Sequence, residues 1–330
     1  MFSGMNMKLA ATAAKRGGWF DRQDALAAGY TDDEVHARVR DGRWLRLCRG
    51  AYAIPGPDDD SRADWDKAIW QHRMTARAIY HRLGGRAIVS HQSALLLHGV
   101  EVSDLDLSRV HLTRVDGFGR SNGSVCQHAA RPPVPDSVEV DRVRLTPGAR
   151  SVVETIRGTQ YPVAVSVVDA ALRQGIATAE QFADALGLFA GRTGIGTAQR
   201  AASFGDARSE SVGESRLRVL LADLGLPAPV LQAEIRDVGG RLVARVDFLL
   251  EHWGVIVEFD GALKYAGVGA EVLIAEKARE DELRDLGYEV VRAVWADLAQ
   301  PVELVARIRR AIARSLHRRG PVAGYVATGT

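Results

Sequence analysis

Cysteine is scarce in this chain: among 330 residues only Cys48 and Cys126 occur, in different segments. Two isolated thiols build neither a disulfide framework nor a cysteine zinc site, which suits a reducing compartment. Long apolar runs are missing too. The opening MFSGMNMKLAATAAKRGG lacks the apolar core of a signal peptide, and no stretch approaches the roughly 20 apolar residues of a membrane span. The expectation is a soluble, cytoplasmic protein. Nor does one sign of charge dominate. Lys plus Arg is 43 and Asp plus Glu 41, and the resulting net charge of +2 says nothing by itself about partners.

What is present is ample core material, with 46% hydrophobic and 25% charged residues, in a chain long enough for two or three domains. The pattern divides it into a winged helix-turn-helix at 1–60, a mixed α/β middle region at 61–205, a further α/β domain at 206–318 and a Gly-rich, disordered tail at 319–330. The expected fold class is multidomain α/β.

In the first segment, Asp21 to Ala28 reads as a short helix stopped by Gly29. Thr31 is an N-cap for a second helix through Arg40, with Asp33 and Glu34 in the first turn, where the helix dipole favours acids. Val35 and Val39, four apart, face the core, leaving His36, Arg38 and Arg40 outside. After Asp41-Gly42, RWLRLCRGAYAI reads as a hairpin turning at Arg49-Gly50. Two short helices and a basic hairpin are the parts of a winged helix. Arg38, Arg40, Arg43, Arg46 and Arg49 then stand where a recognition helix and wing reach phosphates or guanine edges. Winged folds also make protein contacts, so pattern alone leaves both readings open.

The stretch FDRQDALAAGYTDDEVHARVRDGRWLRLCRGAYAI is similar to the N-terminal domain of AbiEi-family antitoxins of type IV toxin–antitoxin systems, most clearly in DGRW…RGAYAI. The resemblance implies a winged helix that binds promoter DNA, and a cognate toxin as protein partner. A homodimeric DNA-binding assembly is compatible with it, though no residue pattern specifies one.

The middle region offers His91, His98 and His111. No carboxylates accompany them at ligand spacing, so they read as core or surface histidines rather than metal ligands. The run YPVAVSVVDAALRQG, with Asp169 near its middle, reads as an amphipathic or buried helix. It resembles the later part of AbiEi-like proteins, where it serves as scaffold, and no chemistry is assigned to it.

In the third segment, Ser211 to Leu224 is a helix ended by Gly225. Strands follow at Val230 to Arg236, Leu242 to Leu250 and Gly254 to Asp260, then a helix from Glu271 to Leu286, a strand from Tyr288 to Trp295 and a last helix. Along GVIVEFD, Glu258 and Asp260 share one face with Ile256 while Val255, Val257 and Phe259 take the other. Asp247 in the preceding strand and Glu214 beside the apolar stripe of the first helix complete a set of four carboxylates. Carboxylates interleaved with strand hydrophobes are costly unless paired or metal-bound. Asp247, Glu258 and Asp260 offer the hard oxygens that suit Mg²⁺ or Mn²⁺, which would polarise a scissile phosphate and generate hydroxide. Lys264 and Lys277 are the candidate cations for orienting the water or stabilising developing charge.

The runs VGESRLR, ARVDFLL, VEFDGALKYAG and EKAREDELRDLGYEVVRAVWADL resemble endonuclease-like domains related to very short patch repair proteins, of the PD-(D/E)XK type. The resemblance implies an αβββαβ restriction-endonuclease-like core, with Asp247 and Glu258 as metal ligands and Glu214 as the acid of the first helix. One position departs: the pattern's lysine, two residues after the glutamate, is Asp260. Two functions follow. One is a metal-dependent DNA endonuclease targeted by the winged helix. The other is an AbiEi-like antitoxin and transcriptional regulator with an inactive nuclease-like domain.

Overall fold

A computed structural model describes residues 6–55, 63–100, 104–116, 121–129, 136–261, 270–318 and 325–326. The chain is multidomain and mixed α/β, and it divides into two compact units, 1–159 with 175–200, and 160–174 with 201–330.

The first unit opens with Met7–Lys15 (α1), Trp19–Asp21 (β1), Arg22–Ala27 (α2), Asp32–Arg40 (α3), Leu45–Cys48 (β2) and Ala51–Ala53 (β3). The strands form an antiparallel sheet in the order β1-β3-β2. Helix α3 starts at Thr31 for a local reason. The Thr31 hydroxyl accepts from the Glu34 N–H at 3.3 Å, and the Glu34 carboxylate accepts from the Thr31 N–H at 2.8 Å, so two otherwise unpaired donors are satisfied. Gly50 adopts φ 74 in the hairpin turn, a conformation glycine takes without cost. Helix α1 was not expected from sequence. Its Leu9 and Ala13, four apart, pack with Phe20, Val35 and Trp44.

The unit continues with Asp64–Arg82 (α4), Ala87–Val89 (β4), His91–Leu97 (α5), Val110–Arg114 (β5), Val125–Ala129 (β6), Val138–Val140 (β7), Val143–Leu145 (β8) and Gly148–Ile156 (α6). These strands make a mixed sheet in the order β6-β5-β4-β8-β7. Ile79 and Leu97 of the helices pack against Val89, Leu112 and Leu145 of the sheet.

Tyr161–Arg173 (α7) belongs to the second unit, whereas Ala179–Gly187 (α8) returns to the first and the boundary then falls within Ile195–Phe204 (α9). The second unit adds Val212–Asp223 (α10), Val230–Arg236 (β9), Leu242–Leu250 (β10), Val255–Phe259 (β11), Ala270–Asp285 (α11), Glu289–Ala293 (β12), Trp295–Ala299 (α12) and Val302–Arg318 (α13). Within the tail read as disordered, Tyr325–Val326 (β13) pairs antiparallel with β9. The sheet order is β12-β11-β10-β9-β13, with β11 and β12 parallel.

Helix α7 is the buried scaffold its sequence suggests. Asp169 is 0% exposed and accepts from Arg218 of α10 at 2.8 and 2.7 Å and from the Asp206 N–H at 2.7 Å. This pair, 49 residues apart, ties α7 to α10.

Candidate functional site

Two sets of residues carry the chemistry expected from sequence. The first is the basic end of the winged helix. Arg40, Arg43, Arg46 and Arg49 are exposed. Arg43 lies 3.0 Å from Asp41 and Arg40 3.6 Å from it, so part of their charge is neutralised locally. Among the described residues, Arg46 and Arg49 have no acidic side chain within ion-pair distance. Arg38 differs from its expected place outside the fold. Its half-buried guanidinium lies over the Tyr30 ring at 4.5 Å and the Trp44 ring at 5.6 Å, the two rings being 5.1 Å apart from one another. The opposite end of α3 is acidic, with Asp32 paired to Arg22 and Glu34 held in the cap.

The second set lines a cleft of about 230 Å³ in the second unit, formed by Glu214, Gln232, Asp247, Glu258, Asp260 and their neighbours. Its geometry follows from register. The pair Phe248↔Val257 puts Asp247 across from Glu258 one step along, and Glu258 pairs directly with Arg292. Leu231↔Phe248 and Ala233↔Val246 put Gln232 across from Asp247 on the other side. One row thus runs Gln232, Asp247, Glu258, Arg292 across four strands. Val255, Val257 and Phe259 pack towards α10 and α13, and Ile256 packs with Leu283 of α11, which leaves Glu258 on the α11 face as alternation predicts. At Gln232 the alternation slips: Ala233 and Val246 pack on the α11 side, Leu231 and Phe248 on the α10 side, and Gln232 takes φ 52. The cleft therefore receives Glu214 from the α10 side and Glu258 from the α11 side.

Glu214 gets there because Gly213 lies flat on Phe259, and a Cβ at that position would overlap the ring. The Glu214 carboxylate is 7% exposed and accepts from the Glu210 N–H at 2.8 Å and from Gln232 at 3.0 Å. Burial, then the negative charge of Asp247, raises its pKa above the usual carboxylate range. Burial likewise raises Glu258, Arg279 at 3.4 Å pulls it back, and Asp247 pushes it up again. Asp247 accepts from the Phe259 N–H at 2.8 Å. Asp260 faces Arg292 at 3.6 Å, and Arg292 also binds Glu276 at 2.8 Å and Glu280 at 2.9 Å. Burial opposes the charge on Arg292, but Glu276 and Glu280 overcome it and raise its pKa.

The structure thus brings Glu214, Asp247, Glu258 and Asp260 to one cleft. Lys264 lies outside the described residues. Lys277 is exposed on α11 and does not line the cleft. Glu276, Arg279, Glu280 and Leu283 form the inward stripe of that helix, and a residue next to Glu276 is turned about 100° from it. Among the described residues, the cations at the cleft are Arg245, Arg279 and Arg292, none of which stood out in sequence. Among the described residues, the one trio of His, Cys, Asp or Glu ligand atoms within 4.8 Å of one another lies elsewhere, in the first unit. No helix of the described residues is long and apolar enough to cross a membrane.

Among proteins of known sequence, the chain is similar to two from Mycobacterium tuberculosis, uncharacterized protein MT2308 of strain CDC 1551 / Oshkosh and uncharacterized protein Rv2248 of strain H37Rv. Each is 29% identical over 286 residues, covering 86% of this chain and 98% of the relative. Among solved structures, the RV2827C protein of M. tuberculosis matches at 16% identity and a TM-score of 0.34, over 65% of this chain and 79% of that one. Residues 7–55 match the family described as "Transcriptional regulator, AbiEi antitoxin", so this N-terminal segment is similar to the AbiEi antitoxin regulators.

Proposed function

We propose that the protein is a DNA-binding transcriptional regulator of the AbiEi antitoxin type, with DNA and a cognate toxin as its partners. The observation that carries this is the coincidence of the AbiEi match with a folded winged helix whose hairpin holds Arg43, Arg46 and Arg49 in solvent. The acidic first turn of α3 repels phosphate, so the duplex approaches from the Arg40 end and the hairpin. The hairpin arginines contact the backbone, and the exposed His36 and Arg40 of α3 face bases in the major groove. A homodimer would place two such heads on paired half-sites. Mobility shift with the DNA upstream of the protein's own gene tests this. Retardation at lower protein concentration than for a scrambled duplex supports it; equal retardation of both contradicts it.

One observation favours a second reading, a metal-dependent endonuclease: three carboxylates held against their own repulsion in one cleft. Glu214 and Glu258 both have raised pKa values with Asp247 among the causes, and a divalent cation relieves that repulsion. Asp247 and Glu258 would hold Mg²⁺ or Mn²⁺ and Asp260 would flank it, the ion supplying an electrophile and a water of lowered pKa. Glu258 would have to leave Arg279, which would then be one of the cations facing the scissile phosphate. Incubation of supercoiled plasmid with Mg²⁺, Mn²⁺ or EDTA decides. Nicking that needs metal and is lost in Glu258→Ala supports the endonuclease, and intact plasmid throughout leaves the regulator alone.

A further inference from the structure

We propose that His91, His111 and His128 form a zinc-binding site in the first unit, separate from the acidic cleft. Their ligand atoms all lie within 4.8 Å of one another. The trio is assembled by topology. In the parallel β5–β6 pair, His111 is opposite Cys126 and Thr113 opposite His128, so period two places His111, Cys126 and His128 on one face. His91 enters from the first residue of α5, its ring stacked on His128 with centroids 3.8 Å apart. Sequence reasoning grouped His91 and His111 with His98, but the His98 ring bonds the Thr146 carbonyl at 2.8 Å and lies outside the trio.

The spacing suits a tetrahedral ion. His111 Nδ1 and His128 Nε2 are 3.0 Å apart, and Cys126 Sγ is 3.6 Å from His128 Nε2. Zinc bonds of about 2.0–2.1 Å to nitrogen and about 2.3 Å to sulfur put tetrahedral neighbours roughly 3.3 Å and 3.5 Å apart. Cys126 therefore stands beside the trio as the nearest thiol for a fourth position.

The surroundings are those of a held ligand set. Glu154, 5% exposed, accepts from the His91 N–H at 3.2 Å, and its Oε2 lies 3.6 Å from His91 Nδ1, which also meets Ser90 Oγ at 3.0 Å. The Ser90 hydroxyl engages Nδ1, which leaves Nε2 for the ion. Gln92 presents its amide nitrogen to His111 Nε2 at 3.1 Å; with an ion on Nδ1 that ring nitrogen carries the proton, and the amide turns its oxygen to it. His91 adopts φ 54, a strained conformation for a residue with a Cβ, and the Glu154 contact holds it there. Imidazole donors favour zinc over the Mg²⁺ suited to the acidic cleft.

The test uses the full chain stripped of metal with chelator, titrated with Zn²⁺ by calorimetry and with Co²⁺ by visible absorption. The expected result is one ion per chain with tetrahedral cobalt bands. Affinity should fall at least 100-fold in His111→Ala and in His128→Ala, and about 10–100-fold in Glu154→Gln. His98→Gln should bind as the wild type does. Circular dichroism confirms folding of each variant, and His111→Gln replaces His111→Ala if the latter unfolds. No stoichiometric binding by the wild type, or unchanged affinity in folded His111 and His128 variants, overturns the site.

Discussion

Asp169→Ala is the most stringent test of how the second unit is held together. The substitution removes the carboxylate that neutralises Arg218, whose side chain is only 7% exposed. What remains in contact with Arg218 is the Phe204 carbonyl at 2.6 Å and the Phe204 ring at 4.3 Å, neither of them charged, while the nearby Asp206 is directly paired with Arg208 at 2.7 Å. Breaking a buried pair from one side costs about 3–5 kcal/mol, because an unneutralised charge stays buried. At about 2–4 °C per kcal/mol for a domain of this size, the melting transition should fall by roughly 6–20 °C. Replacing both partners, Asp169→Leu with Arg218→Met, removes the charge as well and should restore most of the stability. Calorimetry of the three proteins reads this directly. A drop under about 1 kcal/mol in the single variant, or a double variant as unstable as the single, would refute the pairing as the tie between α7 and α10.

Other consequences concern the cleft and its supports. Glu258 has a raised pKa in the folded state, so folded protein holds that proton more tightly than unfolded chain. Stability therefore declines as pH rises from the unfolded value, 4.5, through the folded one, and Glu258→Gln escapes that decline. In EDTA the variant should melt above wild type at pH 7 and level with it below about pH 4, where both states are protonated; a gap that does not close on acidification contradicts the burial argument. Gly213→Ala should force α10 away from Phe259 and cost about 1–3 kcal/mol in denaturant titration. An unchanged midpoint would show that the close approach does not position Glu214.

Much of this architecture was legible because local chemistry fixes it. Thr31 with Glu34 marks the start of α3, and Gly225 and Gly287, at φ 69 and 93, mark the ends of α10 and α11. The alternation of GVIVEFD put Glu258 on the correct face of β11. Long-range pairings were not legible. That α7 belongs with α10 depends on Asp169 meeting Arg218 across 49 residues, and no local pattern carries that. The cleft cations were not singled out because Arg292 meets Glu258 only through the β11–β12 register and Arg279 only through the packing of α11. His128 went unnoticed because its link to His111 is a strand register, not a spacing along the chain. Arg38 shows a similar limit, since a polar position on a helix can still lie across two aromatic rings.

DNA binding through the hairpin is the central claim, and the salt dependence of that binding tests it most directly. Fluorescence anisotropy with the upstream duplex should be measured over a range of salt for the wild type and for Arg43→Ala, Arg46→Ala and Arg49→Ala combined. If the hairpin arginines bind phosphates, the variant binds more weakly and its log–log salt slope is shallower by about 0.9 for each phosphate it no longer neutralises. Wild-type protein that ignores DNA, or a folded triple variant with the same affinity and slope, would contradict the account.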